Sequence, residues 1–339
     1  MPESSPDPNA SKNLGREIES WTDVRSNELH DEITQATEDR QSRNRAWWES
    51  LPMTYENWDK ADRIPSSAED FSKVDAFYFG TNPYLGAHVD FNSFAGKRVL
   101  EIGCGAGSAA CKFASGGASV TAVDLTEQAI KLTLSHAAMA GVTIDARCMD
   151  AERLDGLGDE TFDFVYSWGV LHHSQNPDQA YRQIARVLKR GGKYLIMVYH
   201  KSSVRYYIRG LFHLLLKGRI FQGDNLKTVQ RFYTDGYYHR HYTAREIRKA
   251  LEAAGLDVDS TEVTHMSSKM IPAIPEFLRQ RLKERVGWLL VARGSRPANQ
   301  RRGLRGCSRS GLAAPTWTPS LSLMASRSSR ISKRVRLSS

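Results

Sequence analysis

Short runs of apolar residues alternate with amphipathic stretches through the middle of the chain. The apolar runs predict strands, and the stretches between them, with apolar positions three and four apart, predict helices. The predicted strands span residues 98–102, 119–123, 143–148, 162–167 and 193–198, and the predicted helices span 109–115, 127–140 and 178–187. Alternation of this kind indicates an α/β domain with a mostly parallel sheet and helices on both faces.

A further helix and two further strands follow residue 242. Thr243 with Glu246 three positions later has the form of a capping box, and Gly255 supplies a C-terminal stop, so a helix is predicted over 244–254. Two more apolar runs predict strands at 256–259 and 287–292.

Residues 200–242 form an insertion before this helix, and we expect the substrate to bind there. Its predicted helix, 204–217, has an apolar face and a basic stripe. The apolar face consists of Val204, Tyr207, Ile208, Leu211, Leu214 and Leu215, and the stripe of Arg205, Arg209, His213 and Lys217. Three interpretations stay open: a lid helix with a solvated charged face, a contact with an anionic substrate, and a peripheral contact with a membrane.

The end of the first predicted strand carries the most specific pattern in the chain. Glu101 is followed by Gly103, Gly105 and Gly107. Glycine allows tight turning and a close approach of the backbone to a ligand, which indicates a nucleotide-like ligand. Asp124 ends the next strand, where a carboxylate can accept both ribose hydroxyls. Dinucleotide dehydrogenases place the third glycine one position later, and a carboxylate at Glu101 would repel a pyrophosphate.

This loop and three later segments, at 148–152, 162–173 and 186–193, resemble class I S-adenosylmethionine-dependent methyltransferases of the small-molecule type. The resemblance covers roughly residues 96–200 and includes the turns at 148–152 and 186–193, although Arg190 stands where the family usually has proline. It implies that Glu101 lies near the methionine moiety and Asp150 near the adenine amine. The cofactor-binding residues that we expect are Tyr55, Glu101, Gly103, Gly105, Gly107, Asp124, Leu125, Asp150, Ala151, Glu152 and Ser167.

The resemblance also implies a complete architecture. It predicts a Rossmann-like, doubly wound sheet of seven strands, mostly parallel with an antiparallel last strand. A helical cap at 41–95 precedes the methyltransferase domain at 96–293, which contains the insertion at 200–242. Residues 1–40 and the Ser/Arg-rich residues 294–339 lack a sustained apolar period and are predicted to be disordered.

Charge is distributed unevenly along the 339 residues. The formal net charge is +9, from 47 lysines and arginines against 38 acidic residues. No acidic residue follows Glu284, so the charge is concentrated at the C-terminal end, where it could attract nucleic acid or acidic lipid. The four cysteines form no C-x-x-C pair, and no secretory signal or membrane-spanning run is visible. These features predict a cytoplasmic protein without a metal site.

Methyl transfer needs positioning more than acid–base chemistry, but a base would assist a hydroxyl or acidic carbon acceptor. His173 and His200, which follow the fourth and fifth strands, are the candidate bases. The predicted function is methylation of an oxygen or carbon of a small organic molecule with S-adenosylmethionine, with no obligate protein partner. One alternative is a nucleic-acid methyltransferase anchored by the basic tail, although the chain lacks the N-P-P-[YF] motif of amino-methylating nucleic-acid enzymes after its fourth predicted strand. The other alternative is a non-catalytic S-adenosylmethionine-binding protein.

Overall fold

A computed structural model describes residues 40–50, 64–232, 234, 236–264 and 275–298. Tyr55 and almost all of the two segments predicted to be disordered lie outside the described residues, so those predictions stay predictions. The last strand continues to Ser295, slightly past the predicted domain end at residue 293.

The described residues contain one mixed sheet. Its strands are β1 (Arg98–Ile102), β2 (Ser119–Asp124), β3 (Asp145–Cys148), β4 (Phe162–Trp168), β5 (Leu188–His200), β6 (His241–Tyr242), β7 (Asp257–Thr264) and β8 (Leu289–Ser295). The order is β3-β2-β1-β4-β5-β8-β7, and the two-residue β6 pairs with the end of β5. All pairings are parallel except those of β8, which runs antiparallel to β5 and β7. The predicted fold class is confirmed, with β6 as a short addition.

The sheet order determines where a ligand can bind. The chain moves outward from β1 to β2 and β3, then returns to β4 on the other side of β1. Connections that leave β1 and β4 in opposite directions open a crevice at the carboxyl ends of these strands. The loop after Ile102, Asp124 and the loop after Trp168 therefore meet at this edge of the sheet.

Helices cover both faces of the sheet. They are α1 (Arg40–Ser50), α2 (Ala68–Thr81), α3 (Ser108–Ser115), α4 (Glu127–Met139), α5 (Pro177–Val187), α6 (Val204–Leu211), α7 (Ala244–Ala253) and α8 (Glu276–Val286). The predicted capping box of α7 is confirmed, since the Thr243 side chain accepts from the Glu246 amide and the Glu246 carboxylate accepts from the Thr243 amide. Ser67 and Asp70 cap α2 in the same way.

The insertion differs from the prediction in its helix and in the direction of its faces. The helix predicted over 204–217 ends as α6 at Leu211 and continues as a π-helical turn from Phe212 to Leu216. The side chains of Tyr206 and His213 are buried, whereas four positions of the predicted apolar face are exposed: Tyr207, Ile208, Leu211 and Leu215. The predicted basic stripe also divides, because His213 lies inside and Lys217 lies outside.

Candidate functional site

The loop between β1 and α3 has a backbone that glycine permits. Gly103, Gly105 and Gly107 have φ values of 80°, 53° and 84°, in the left-handed region that other residues rarely adopt. The amides of Gly103 and Cys104 both donate to the Val123 carbonyl, at 2.7 and 3.2 Å, which fixes the loop against β2. A Cβ atom on Gly103 would lie 2.1 Å from Val170 Cγ2, so the loop after β4 packs directly on this glycine.

The third glycine of the loop has a packing role. Gly107 is the N-cap residue of α3, and a Cβ atom there would lie 3.0 Å from the Thr133 Cα of α4. The Thr133 hydroxyl lies 3.2 Å from the Gly105 carbonyl, to which it can donate. Gly103 and Gly105 line the neighbouring cavity, and Gly107 holds two helices close together behind it.

A cavity of about 480 Å³ opens at the carboxyl edge of the sheet. One half lies beside β2 and β3 and is lined by residues that include Gly105, Asp124, Leu125, Met149, Asp150 and Ala151. The other half lies beside β4, β5 and β8 and is lined by residues that include Tyr84, Trp168, His173, Tyr199, Arg205 and Trp288. Gln41 and Trp48 of α1 and Phe77 and Thr81 of α2 also line the cavity.

Asp124 is held by three donors at the end of β2. Its Oδ2 accepts from the Gly105 amide at 3.1 Å, and its Oδ1 accepts from the amide and the hydroxyl of Thr126 at 3.1 and 3.0 Å. Burial raises the pKa of the Asp124 carboxyl, against the lowering effect of these hydrogen bonds. Each carboxylate oxygen can accept about two bonds, so Oδ2 keeps capacity for a ligand hydroxyl.

Asp150 lies in the turn after β3 and connects to the N-terminal helix. Its Oδ1 accepts from the Glu152 amide at 2.9 Å, and its Oδ2 accepts from the Gln41 side chain at 2.8 Å. Leu125 and Ala151 line the same part of the cavity. Gln41 closes this end of the cavity, and no sequence pattern indicates this role because Gln41 and Asp150 are far apart along the chain.

Four predicted cofactor-binding residues do not line the cavity: Glu101, Gly107, Glu152 and Ser167. The last two make structural contacts instead. The Glu152 carboxylate accepts from the Ser174 hydroxyl and the Asn176 amide, both at 2.7 Å, and so shapes the loop before α5. The fully buried Ser167 hydroxyl donates to the Ile102 carbonyl at 3.1 Å and joins β4 to β1.

Glu101 is buried at the end of β1, directly behind the glycine loop. Its side chain is 4% exposed, and its Oε2 has no hydrogen-bond partner among the described residues. Burial and the nearby Asp124 carboxylate raise the pKa of the Glu101 carboxyl well above its usual value. A buried acceptor without a donor is costly, and a cationic donor from a ligand would satisfy it.

Comparison with known proteins identifies the domain that carries this cavity. A family model described as "Methyltransferase domain" matches residues 100–196, which include β1 to β4, the glycine loop, Asp124 and Asp150. Residues 100–196 are therefore similar in sequence to a methyltransferase domain. This result confirms the resemblance to class I S-adenosylmethionine-dependent methyltransferases, and the family implies the use of that cofactor.

The chain is also similar to curated proteins that carry names. The protein named "Ubiquinone biosynthesis O-methyltransferase" of Chromobacterium violaceum is 34% identical over 114 residues, which are 34% of this chain and 49% of the relative. The protein of the same name from Idiomarina loihiensis is 40% identical over 98 residues, 29% of this chain and 40% of the relative. The chain therefore matches about half the length, or less, of these curated relatives.

The fold also resembles solved structures. A structure described as S-adenosylmethionine dependent methyltransferase from Mesorhizobium loti is 21% identical, with a TM-score of 0.45, over 63% of this chain and 96% of that chain.

The described ranges contain no helix with the length and the apolar composition that a membrane span requires.

The structure separates the two candidate bases, His173 and His200. His173 lines the cavity, and its Nδ1 lies 2.7 Å from the Tyr238 carbonyl. His200 is not a lining residue of this cavity; its Nδ1 pairs with the Gly287 carbonyl at 3.0 Å, and its ring holds the chain that enters β8. Burial lowers the pKa of His200 from its ordinary value and that of His173 to about 3, so both rings are neutral at pH 7.

The insertion shapes the surroundings of His173. Gly236 has a φ of 89°, and a Cβ atom there would lie 2.4 Å from His173 Nδ1. The Trp48 ring meets the His173 ring edge-on, with centroids 5.0 Å apart. Residues of the insertion and of α1 therefore fix the orientation of a ring that belongs to the loop after β4.

His136 links the glycine loop to helix α2. Its Nδ1 lies 2.9 Å from the Ala106 carbonyl, and its Nε2 lies 3.5 Å from the Asp75 carboxylate of α2. Both partners are hydrogen-bond acceptors, so the arrangement suits a protonated imidazole ring, in which both nitrogens are donors. Burial lowers the pKa of His136, but the Asp75 carboxylate, Cys111 and the Ala106 carbonyl together raise it to about 10.

This pKa predicts that the protein loses stability as the pH rises. Because the pKa of His136 is higher in the folded protein than in the unfolded chain, its proton stabilises the fold. This stabilisation is complete below pH 6.5 and is lost as the pH rises through about 10. We expect the free energy of unfolding to fall by up to about 1.4 kcal/mol per pH unit within this range. Urea unfolding of Asp75→Asn between pH 6.5 and 9 should show a flatter dependence than the wild type.

The matched control is Asp155→Asn, which removes an exposed carboxylate paired with Arg153. Its pH dependence should match that of the wild type. Equal slopes in the wild type and Asp75→Asn would show that the proton on His136 does not stabilise the fold.

Proposed function

We propose that this chain transfers a methyl group from S-adenosylmethionine to an oxygen atom of a small aromatic acceptor. The observation that carries the proposal is the charge distribution in the cavity. Among the described lining residues, the two carboxylates, Asp124 and Asp150, lie in one half, and the lone guanidinium, Arg205, lies in the other half among aromatic rings. The first half suits a cationic nucleoside, and the second suits a planar acceptor that carries negative charge.

The acidic half fits the proposed cofactor and does not fit a dinucleotide. Glu101 offers a buried acceptor without a partner, which an ammonium group could satisfy. Asp124 would accept from ribose hydroxyls and Asp150 from the adenine amine, with Gly103 and Gly105 giving the backbone a close approach. A pyrophosphate in the same place would meet carboxylates and no cation from the described lining residues of this half.

The aromatic half supports a planar acceptor. The rings of Tyr199 and Trp288 have centroids 4.4 Å apart, and the Arg205 guanidinium lies 4.5 Å from the Trp288 ring. The Trp168 indole donates to the Asn82 side chain at 3.2 Å, which fixes the ring at the wall of the cavity. Oxygen is the acceptor atom that the names of the relatives support, since both are called O-methyltransferases.

Positioning and exclusion of water account for most of the expected rate. When bound, S-adenosylmethionine supplies an electrophilic methyl carbon on a sulfonium. The buried aromatic walls and α1 shield the reacting oxygen, and Arg205 attracts its negative charge. His173 donates its Nδ1 proton to the Tyr238 carbonyl, so its Nε2 is the atom that can take a proton. The lowered pKa of His173, about 3, makes it a weak base, so a phenolic hydroxyl, which is more acidic than an aliphatic one, is the acceptor that suits it.

The test is an acceptor panel that contains phenols and matched aliphatic alcohols. Formation of S-adenosylhomocysteine together with a methyl ether on a phenol, and none on the alcohols, is the expected outcome. If S-adenosylmethionine binds but no acceptor is methylated, the catalytic proposal fails and a binding protein remains. If N- or C-methyl products form, the acceptor atom is wrong.

Substitution of the two histidines by asparagine separates catalysis from structure. Asparagine keeps a donor near the Nδ1 position and removes Nε2. We expect His173→Asn to lower kcat about 10- to 100-fold, at or below the lower end of the usual range for a base because His173 is a weak one. His200→Asn, the matched control, should keep kcat within about twofold. Steady-state kinetics with a phenolic acceptor measures both, and equal losses would exclude a specific role for His173.

A further inference from the structure

The insertion exposes an unusual concentration of large apolar side chains. Of the thirteen large hydrophobic side chains that are exposed in the described ranges, seven lie between residues 207 and 221. This apolar face consists of Tyr207, Ile208, Leu211, Leu215, Leu216, Ile220 and Phe221. Leu216 is 78% exposed and Phe221 is 90% exposed. Clusters of this kind mark contact sites, whereas single exposed apolar residues are ordinary.

The fold fixes the direction of this face. Tyr206, Gly210 and His213 are buried on the opposite side of the same segment, and Ser203 caps α6 through the Tyr206 amide. The π-helical turn from Phe212 to Leu216 buries Leu214 and leaves the two leucines that follow it outside. The apolar face therefore points away from the body of the protein because the other side is already packed.

The charged residues within the segment that carries the apolar face are all basic. Residues 201–223 contain five lysines and arginines and no acidic residue. Lys201 and Arg219 form ion pairs with Glu246 and Asp224, which lie outside this stretch. Arg209 and Lys217 fall within the span of the apolar face itself, and Lys217 is exposed. A surface of apolar side chains bordered by cations is complementary to an anionic bilayer, in which lipid tails lie below negative headgroups.

We propose that the apolar face at 207–221 docks on the surface of an anionic phospholipid bilayer. Leu216 and Phe221 enter the interface, and Arg209 and Lys217 meet the headgroups. Arg205, on the same helix, lines the cavity, so docking places the aromatic half of the cavity close to the lipid. The docking itself does not depend on the proposed methyl transfer.

Vesicle co-sedimentation of the full chain tests the proposal. The probes are phosphatidylcholine vesicles with and without phosphatidylglycerol, at low and at elevated salt, because salt screens the attraction between the basic C-terminal segment and the lipid. We expect the double variant Leu216→Ser/Phe221→Ser to bind anionic vesicles at elevated salt at least about tenfold more weakly than the wild type, through lost apolar burial. Arg209→Gln/Lys217→Gln should reduce the preference for anionic over neutral vesicles.

The matched control is Phe277→Ser/Leu278→Ser, which removes two exposed apolar side chains of α8. It should bind vesicles as the wild type does, and all variants should keep the wild-type thermal midpoint. Equal vesicle binding by the wild type and Leu216→Ser/Phe221→Ser would overturn the proposal. A wild type that is dimeric without lipid and becomes monomeric in this variant would also overturn it, since a second copy of the chain would then cover the face.

Discussion

Replacing Asp124 with asparagine is expected to weaken the binding of S-adenosylmethionine about 100-fold. The carboxylate accepts from the Gly105 amide and from the amide and hydroxyl of Thr126, so it orders the glycine loop and the start of α4. The NH₂ group of an asparagine would face one of these donors, and that donor would lose its acceptor. Hydrogen bonds to a charged group contribute roughly 1.5–3 kcal/mol each. Isothermal titration calorimetry on both proteins measures the difference.

The control for this substitution is Asp145→Asn. Asp145 begins β3, is exposed, and forms an ion pair with Arg147 at 2.7 Å. Exposed pairs contribute little, so binding should stay within about twofold of the wild type. An Asp124→Asn protein that binds S-adenosylmethionine as the wild type does would contradict the assignment of this half of the cavity.

Replacing Gly103 with alanine is expected to cost about 3 kcal/mol of unfolding free energy and to abolish cofactor binding. A φ of 80° costs a residue with a Cβ atom about 1–2 kcal/mol. The new Cβ atom would also lie 2.1 Å from Val170 Cγ2, and such overpacking typically costs about 1–3 kcal/mol. Urea denaturation followed by tryptophan fluorescence gives the free energy.

Two further variants separate backbone strain from overpacking. Gly141 has a φ of 66°, and a Cβ atom added there would have no heavy atom of another segment within 4 Å, so Gly141→Ala should show the cost of φ alone, about 1 kcal/mol. Adding Val170→Ala to Gly103→Ala removes the two closest contacts and should recover part of the loss. If Gly103→Ala is no less stable than Gly141→Ala, the loop after β4 can move away from the new Cβ atom without loss of unfolding free energy.

The sequence predicts those parts of the molecule that depend on neighbours along the chain. The glycine loop and Asp124 could be found because both follow the ends of apolar strands, and parallel strands bring their carboxyl ends to one edge. The capping box of α7 lies within four residues, so Thr243 and Glu246 were enough to locate the start of the helix. The antiparallel last strand was predicted from the resemblance, because alternation alone does not indicate it.

Contacts between distant segments and the direction of a helix face could not be predicted. The Gln41 contact with Asp150 and the His136 link between Ala106 and Asp75 join residues far apart in sequence. Periodicity along α6 shows which residues share a face, but it does not show whether that face points inward. His173 and His200 both follow predicted strands in the sequence, and only the folded chain shows that His173 lines the cavity whereas His200 ends β5 and pairs with the Gly287 carbonyl.

Calorimetric titration of the full chain with S-adenosylmethionine and with NAD tests the assignment of the acidic half most directly. The Asp124 and Asp150 carboxylates that line the acidic half should favour the cationic cofactor and exclude the pyrophosphate. We predict saturable binding of S-adenosylmethionine and no measurable binding of NAD under the same conditions. Binding of NAD, or no binding of S-adenosylmethionine, would contradict the function proposed for this cavity.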